Sequence, residues 1–357
     1  MTAGVGMLST SDIKRRALDL GFDVCGISPV GNFAELQFLR GWLAHGYAGE
    51  MTYMEKSAPT RADIRKLLPS ARSVIVTGTI YNTERRGWDR APGRDTIRVA
   101  RYARGQDYHV VLYERLERLL AWMREAVSEP FDATIFCDKH PVQEPVYAYH
   151  AGLGWIGKNT CVISPEIGSW MFLAGIAISL PLQPDTPALD QCGACTLCID
   201  ACPTGALVDD RELDATKCIS YLTIETKREI PEQQRPLIGR HAWGCDICQD
   251  VCPWNLASST SNDEAWRGPI RDGLSAAELW QRTDDEIHEI IKDSAMTFVP
   301  LSRLRRNLAI VIGNSGNRDL AAALDRPGRG LKNAARSSDT PAVADAVAWA
   351  RRQLAGP

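Results

Sequence analysis

Cys192-Gly-Ala-Cys195-Thr-Leu-Cys198-Ile-Asp-Ala-Cys202-Pro203 decides how the rest of the chain is read. Its C-x2-C-x2-C-x3-C-P spacing is that of bacterial two-cluster iron–sulfur modules, in which short gaps let a loop wrap a cubane. A second run, Cys245-Asp-Ile-Cys248-Gln-Asp-Val-Cys252-Pro253, repeats the ending, and Cys218 between them supplies the thiolate the second run lacks. In this pattern the cysteine before proline serves the other cluster. One cluster is therefore expected on Cys192, Cys195, Cys198 and Cys252, the other on Cys218, Cys245, Cys248 and Cys202. Structural zinc takes paired C-x2-C units across a longer loop, which interlocked runs do not match. A disulfide framework suits a short secreted chain, not this one.

Working outward, 357 residues with 45% hydrophobic and 24% charged describe a globular chain of two or three domains. No basic segment followed by an apolar run opens the sequence, and no twin-arginine leader is present. Trp170 to Leu182, the most apolar stretch, is broken by Ser179 and Pro181 and is too short to span a bilayer. A cytoplasmic protein with no membrane partner is expected. The net charge of −3 leaves nucleic-acid binding to a local basic face.

The expected fold class is α+β in three parts. Residues 1–185 alternate helix and strand signals, giving an α/β layer domain. Ser9 to Ser11 cap a helix carrying Ile13, Ala17 and Leu20. Ser73 to Tyr81 is β-branched and reads as a central strand, and Asp107 to Val127 has apolar residues at helical spacing. Strand Ala133 to Cys137 runs into Asp138. Three prolines between 181 and 187 mark a boundary, followed by a ferredoxin-like double [4Fe-4S] module over 186–257. Residues 258–357 read as helical. Within them Leu301 to Gly313 and Pro341 to Leu354 each look like an amphipathic helix, and Arg305 to Gly316 resembles one HEAT-type unit, which cannot bury itself alone.

Several segments admit two readings. Gly152-Leu-Gly-Trp-Ile-Gly157-Lys158-Asn159 lacks the gap of a phosphate loop, and its glycines suit close backbone approach to a large flat ligand. Asp138 is either a working residue at a strand end or a helix N-cap. Asp138-Lys-His140 begins like a histidine cobalt-ligating motif but has Gln143 where a glycine is needed. Arg85 to Arg104 carries seven arginines, a solvated loop or a surface for phosphates. Arg303, Arg305 and Arg306, with Lys332 and Arg336, form a second candidate basic patch.

These features together resemble the epoxyqueuosine reductases, cobalamin-dependent enzymes that finish queuosine in tRNA. The likeness rests on Glu50-Met-Thr-Tyr-Met54 with Arg61, and on Arg101-Tyr-Ala-Arg-Gly-Gln-Asp-Tyr-His109. It continues through Ala151 to Thr160, both cysteine runs, Cys218 to Glu225, and Arg306 to Gly316. It implies base-off cobalamin between the N-terminal domain and the cluster module, charged through the clusters by an external low-potential electron donor. It also implies a tRNA anticodon stem-loop carrying epoxyqueuosine against the helical C-terminus, in a monomer. Asp138 matches the family's proton donor, although Lys139 and His140 stand where small residues are usual. By motif position Arg61, Arg101, Tyr102, Asp138, Lys158, Asn159, Ser220 and Tyr221 are the expected cobalamin contacts. Burial is expected to raise the Asp138 pKa towards neutrality. The competing readings are a reductive dehalogenase, typically exported behind a twin-arginine leader, and a plain two-cluster electron carrier, which would not bind cobalamin.

Overall fold

The computed structural model describes residues 8–84, 93, 95–256, 258–270, 273–325, 328 and 340–355. Four strands make the main sheet: β1 (Val24–Pro29), β2 (Ser73–Ile80), β3 (Ala133–Phe136) and β4 (Met171–Ile178), in the order β1-β2-β4-β3. Every neighbouring pair is antiparallel. All eight β2 residues are buried, and their alternation feeds two cores. Ile75 enters one core, while Val74, Val76 and Ile80 enter the other.

The N-terminal helices are α1 (Thr10–Asp19), α2 (Ala34–Ala44), α3 (Thr52–Arg61), α4 (Tyr108–Ala126) and α5 (Glu144–His150). Ser9 caps α1 by accepting the Asp12 amide. Ile13 and Ala17 of α1 meet Leu112, Leu116 and Leu119 of α4 on one face of the sheet. Leu36 of α2 and Val146, Tyr147 and Ala148 of α5 cover the other. The result is a helix–sheet–helix layering, as the alternating signals predict. The sheet is antiparallel, so the rule that puts working residues at the carboxyl ends of parallel strands does not place Asp138. It stands two residues beyond edge strand β3, in a loop that α5 then closes.

The proline linker is pinned to the sheet: Asp185 accepts the Ile27 amide at 2.8 Å and pairs with Lys14 at 2.5 Å. After it, two short helices, Leu197–Asp200 and Ile247–Asp250, carry Cys198 and Cys248. A third core joins Val99 and Ala103 to Ile219, Leu222 and Trp243, and to Trp280, Leu308 and Trp349. The C-terminal helices Leu301–Asn314 and Pro341–Ala355 pack together. Gly313 permits this, since a Cβ there would lie 2.9 Å from the Ala350 backbone.

The arginines of the Leu301–Asn314 helix correct one expectation. Arg305 and Arg306 are 0% and 1% exposed. Arg305 donates to the carbonyls of Trp280 and Arg282 and to Asp284. Arg306 donates to the carbonyls of Leu222, Thr226 and Arg228. Arg303 is spent on the Ile224 carbonyl. A guanidinium is suited to collecting several carbonyls in a buried place, so these residues clamp loops together and form no basic patch. Lys332 and Arg336 lie outside the described residues, as do Arg85, Arg86, Arg90 and Arg94.

Candidate active site and cluster module

A cavity of about 810 Å³ opens between the sheet and the cluster module. Trp42, Tyr81, Tyr102, Tyr108 and Phe172 give it aromatic walls, and Arg61, Asp138, Glu144 and Arg211 bring charge into it. Tyr108 and Phe172 stack almost parallel, 9° apart with centroids at 4.4 Å. Phe38 is 49% exposed on the wall. Such a slot, largely apolar, bordered by two parts of the chain and crossed by a few charged side chains, is of the kind that takes a small-molecule ligand or cofactor.

Asp138 occupies the left-handed region with φ of 54°, which costs a non-glycine residue of the order of 1–3 kcal/mol. Its surroundings hold it there. Its amide donates to Glu144 Oε1 at 2.5 Å, and its Oδ2 accepts from the Tyr108 hydroxyl at 2.8 Å. His109 Nε2 lies 3.4 Å from the same oxygen. His109 Nδ1 lies 2.7 Å from Asp107 Oδ1, which also caps α4 by accepting the His109 amide. Below the loop, Gln143 donates to the carbonyls of Leu36 and Arg61, and Arg61 to that of Val142. Gln143, where the cobalt-ligating motif needs glycine, is a tether between α2, α3 and the Asp138 loop. His140 lines a separate cleft with Tyr113 and Arg124 and does not form the cavity wall.

The electrostatics reverse one expectation. The hydrogen bond from His109, helped by Tyr108 and the Arg61 charge, outweighs desolvation and holds Asp138 below the usual carboxylate range. Its side chain is 67% open to the cavity, and the upward push of desolvation is outweighed by these donors. Glu144 is the raised carboxyl: desolvation and the neighbouring Asp138 charge push it up to about 8. Desolvation lowers His109, but Asp107 and Asp138 more than compensate, and its pKa rises above the ordinary histidine value.

The glycine loop is a hairpin, with Trp155 facing Ile163 and Ile156 facing Val162. A Cβ on Gly154 would sit 2.2 Å from the Ile163 carbonyl. That glycine thus admits the protein's own backbone, where a flat ligand was expected. Ile156 and Thr160 reach the cavity wall, while Asn159 donates to the Cys248 carbonyl at 3.3 Å. The hairpin therefore touches both cavity and module. Lys158 pairs with Asp210 at 3.1 Å. Arg101 pairs with Asp250 at 3.1 Å and lies 4.2 Å over the Trp170 ring. Tyr221 accepts the Glu50 amide at 2.6 Å, with half-buried Ser220 beside it. Of the expected cobalamin contacts, only Arg61, Tyr102 and Asp138 line the cavity.

The cysteines fall into two neighbourhoods. Cys198 feels the charges of Cys192 and Cys252, and Cys252 those of Cys192 and Cys195. Cys245 feels Cys218 and Cys202, and Cys248 feels Cys245 and Cys218. The Trp155 indole donates to Cys192 Sγ at 3.3 Å, and the Ala206 amide to Cys202 Sγ at 3.3 Å. Amide and indole donors of this kind suit thiolates and the sulfurs of a cluster. Cys161 is close enough to Cys248, Cys252 and Cys218 to feel both groups. Among the described residues, no three His, Cys, Asp or Glu side chains close on a single metal ion.

Residues 191–255 match the 4Fe-4S double cluster binding domain, and residues 61–139 match the model for epoxyqueuosine reductase QueG, DUF1730. An epoxyqueuosine reductase from Xanthomonas campestris is 38% identical over 96% of this chain and 95% of its own. The chain belongs to the epoxyqueuosine reductase family. A second reductase, from Gloeobacter violaceus, is 42% identical over 87% of this chain and 97% of its own. The crystal structure of an epoxyqueuosine reductase with a tRNA-Tyr epoxyqueuosine-modified stem loop superposes with a TM-score of 0.85. It is 28% identical and covers 96% of this chain and 89% of that one. A Bacillus subtilis reductase, TM-score 0.84 and 28% identical over 96% of this chain and 90% of its own, has its aspartate catalytic loop swung out of the active site.

This family member is thus an oxidoreductase with a double-cluster domain. No described helix is long and apolar enough to cross a membrane. Tyr108, His109 and Glu144 complete the site around Asp138 and were not singled out as site residues from the sequence. Tyr108 and His109 are the last two residues of the Arg101–His109 motif, at the start of an amphipathic helix. That position was the available signal.

Proposed function

We propose that this chain reduces the epoxide of epoxyqueuosine in a tRNA anticodon loop to the alkene of queuosine, with Asp138 donating the proton. The observation that carries the proposal is Asp138 itself, set in an aromatic cavity whose wall continues into the hairpin that holds the Cys248 carbonyl. Epoxide to alkene consumes two electrons and two protons and releases the oxygen as water. Cobalamin in this cavity, base-off and fed singly by two [4Fe-4S] clusters, supplies the electrons that a protein side chain cannot.

In this reading Arg61 and Tyr102, which line the cavity, hold the cofactor against the sheet. Lys158 and Asn159 tie the hairpin to Asp210 and to the Cys248 carbonyl, Arg101 packs between Asp250 and Trp170, and Tyr221, next to Ser220, holds the Glu50 amide. The two cysteine neighbourhoods support one cluster on Cys192, Cys195, Cys198 and Cys252 and another on Cys202, Cys218, Cys245 and Cys248. Exposed Phe38 gives an extruded base a surface to stack on, the usual device for single-stranded RNA. Filling the cavity strips water from Asp138 and raises its pKa, turning a carboxylate at rest into a donor in the closed complex. General acid assistance is worth roughly 10²–10⁴-fold.

The test is anaerobic turnover of an epoxyqueuosine-bearing stem-loop by reconstituted protein with a low-potential reductant, followed by mass spectrometry of the digested nucleosides. A product lighter by one oxygen, formed only with cobalamin, is expected. Bound cobalamin and intact clusters without that product would refute the reading.

A further inference from the structure

We infer that His109, held by Asp107, stores the second proton of the reaction and passes it through Asp138, and that Asp107 restores it from a solvent cleft separate from the active cavity. This rests on Asp138 being the donor proposed above. Two protons are consumed per turnover, one as the first C–O bond opens and one as the resulting hydroxyl leaves as water. Asp138 carries one proton at a time, and cofactor and RNA base together would exclude water from its side of the cavity. A recharging route from elsewhere is therefore needed.

The first turn of α4 supplies such a route. Tyr108 faces the cavity. Asp107 instead lines a second cleft of about 550 Å³ with Arg267, Glu289 and Lys292, and the two spaces share no wall residue. His109, buried at 6% exposure, connects them, with Nδ1 at 2.7 Å from Asp107 and Nε2 at 3.4 Å from Asp138. An ordinary helix cap accounts for the Asp107 carboxylate on the His109 amide. It does not account for an imidazole bridging two carboxylates on opposite sides of a partition.

Asp107 and Asp138 face the two ring nitrogens of His109, Tyr108 stacks on the ring at 4.0 Å, and Glu144 at the start of α5 feels its charge, while Arg61 acts on Asp138 and Lys139 on Asp107. Phe298 closes over the ring edge-on at 4.7 Å. The two carboxylates favour imidazolium and keep it charged to a higher pH than a free histidine.

The proton count closes as follows. Asp138 gives its own proton to the epoxide oxygen and becomes a carboxylate. Imidazolium then passes its Nε2 proton to Asp138, which delivers it to the departing hydroxyl. The neutral ring keeps its Nδ1 proton. A half-turn of the ring, with a proton from cleft water arriving through Asp107, restores the imidazolium, and Asp138 takes the other proton from solvent as the next substrate enters and its pKa rises, so both protons are replaced.

The experiment uses full-length protein carrying clusters and cobalamin, with single-turnover rates on the modified stem-loop measured across pH for wild type, His109→Gln, Asp107→Asn and Asp138→Asn. Cluster absorption and cobalamin binding establish that each variant is folded. His109→Gln is expected to slow turnover roughly 10²-fold and to remove the basic limb of the pH profile. Asp107→Asn, which keeps the shape of the cap, is expected to move that limb to lower pH.

A readout independent of turnover is the His109 imidazole titration by NMR, assigned by its absence in His109→Gln. Its pKa should fall in both Asp107→Asn and Asp138→Asn. Wild-type rate and an unchanged basic limb in His109→Gln, with Asp138→Asn inactive, would overturn the relay alone. Full turnover by Asp138→Asn would remove the donor, and the relay with it. Should His109→Gln not fold, an unmoved limb and an unmoved titration in Asp107→Asn would overturn the relay.

Discussion

Replacing Glu144 by Gln isolates the energetic consequence of the Asp138 loop. Glu144 holds its proton up to a pKa of about 8, against an ordinary value near 4.5. Between those two pH values the unfolded chain releases this proton while the folded chain keeps it, so the native state loses stability as pH rises through the window. At pH 7 the gap is 2.5 units, or about 3 kcal/mol at 1.36 kcal/mol per unit. At pH 5 the same linkage gives less than about 1 kcal/mol. Gln has the same shape and can still accept the Asp138 amide, but it does not titrate. Glu144→Gln should therefore stabilise the protein by about 3 kcal/mol at pH 7 and by less than about 1 kcal/mol at pH 5.

With an unfolding entropy of about 2.1 cal/mol/K per residue, 357 residues translate that gain into a Tm increase of about 4 °C. The assay is thermal unfolding of anaerobic, cluster-loaded protein at matched scan rates over pH 5–8.5, since loss of clusters makes the transition irreversible. A gain of equal size at pH 5 and pH 7 would refute the reasoning, because it would arise from packing and not from the proton. Loss of stability at both would mean that Glu144 is ionised and paired in the folded protein.

Asp138→Asn should keep clusters and cobalamin and lose roughly 10²–10⁴-fold in turnover, read by the same nucleoside analysis. Arg306→Met strips three buried carbonyls of their donor and should cost about 3–5 kcal/mol, seen as lower Tm with loss of cluster absorption. Arg305 and Arg306 make no surface for phosphates, so the salt dependence of stem-loop binding should be unchanged in any Arg305 or Arg306 variant that remains folded. Gly154→Ala drives a Cβ into the Ile163 carbonyl at 2.2 Å, and should slow electron delivery from reduced clusters to bound cobalamin, followed by stopped-flow absorbance. Cys198→Ser and Cys218→Ser should each perturb a different cluster by EPR, with Cys252→Ser grouping with the first and Cys202→Ser with the second.

The cysteine spacing marked the double-cluster domain because thiolates around a cubane impose a covalent geometry that leaves a mark in the sequence. Helical periodicity likewise placed α1 and α4, and strand signals placed β2 and β3. Strand direction did not follow, since β-branched runs bury equally well in parallel and antiparallel sheets. The arginines of the Leu301–Asn314 helix were misread because a buried guanidinium surrounded by carbonyls has the same sequence signature as one facing a phosphate. Only the orientation of the helix separates the two cases. The donor position of Asp138 came from family resemblance, whereas its lowered pKa depends on Tyr108 and His109, which lie 30 and 29 residues away in sequence. Glu144, only six residues from Asp138, was obscured for another reason. Nothing in a local pattern indicates that a glutamate side chain turns back to accept an amide from its own loop.

Arg305, Arg306 and Asn307 are three consecutive side chains, and each reaches backwards in the chain. Arg305 takes carbonyls at 280 and 282, Arg306 those at 222, 226 and 228, and Asn307 those at 223 and 242. Cys218 and Cys245 flank the 222–242 segment that they hold. During synthesis this segment emerges well before its donors do, so a chain still on the ribosome exposes cysteines whose scaffold is unfinished. Assembly factors that load iron and sulfide then have a released or nearly released polypeptide as their proper client. Truncation upstream of residue 305 should therefore yield a product that holds its clusters less well than the full chain, read by cluster absorption, however complete its cysteine motifs.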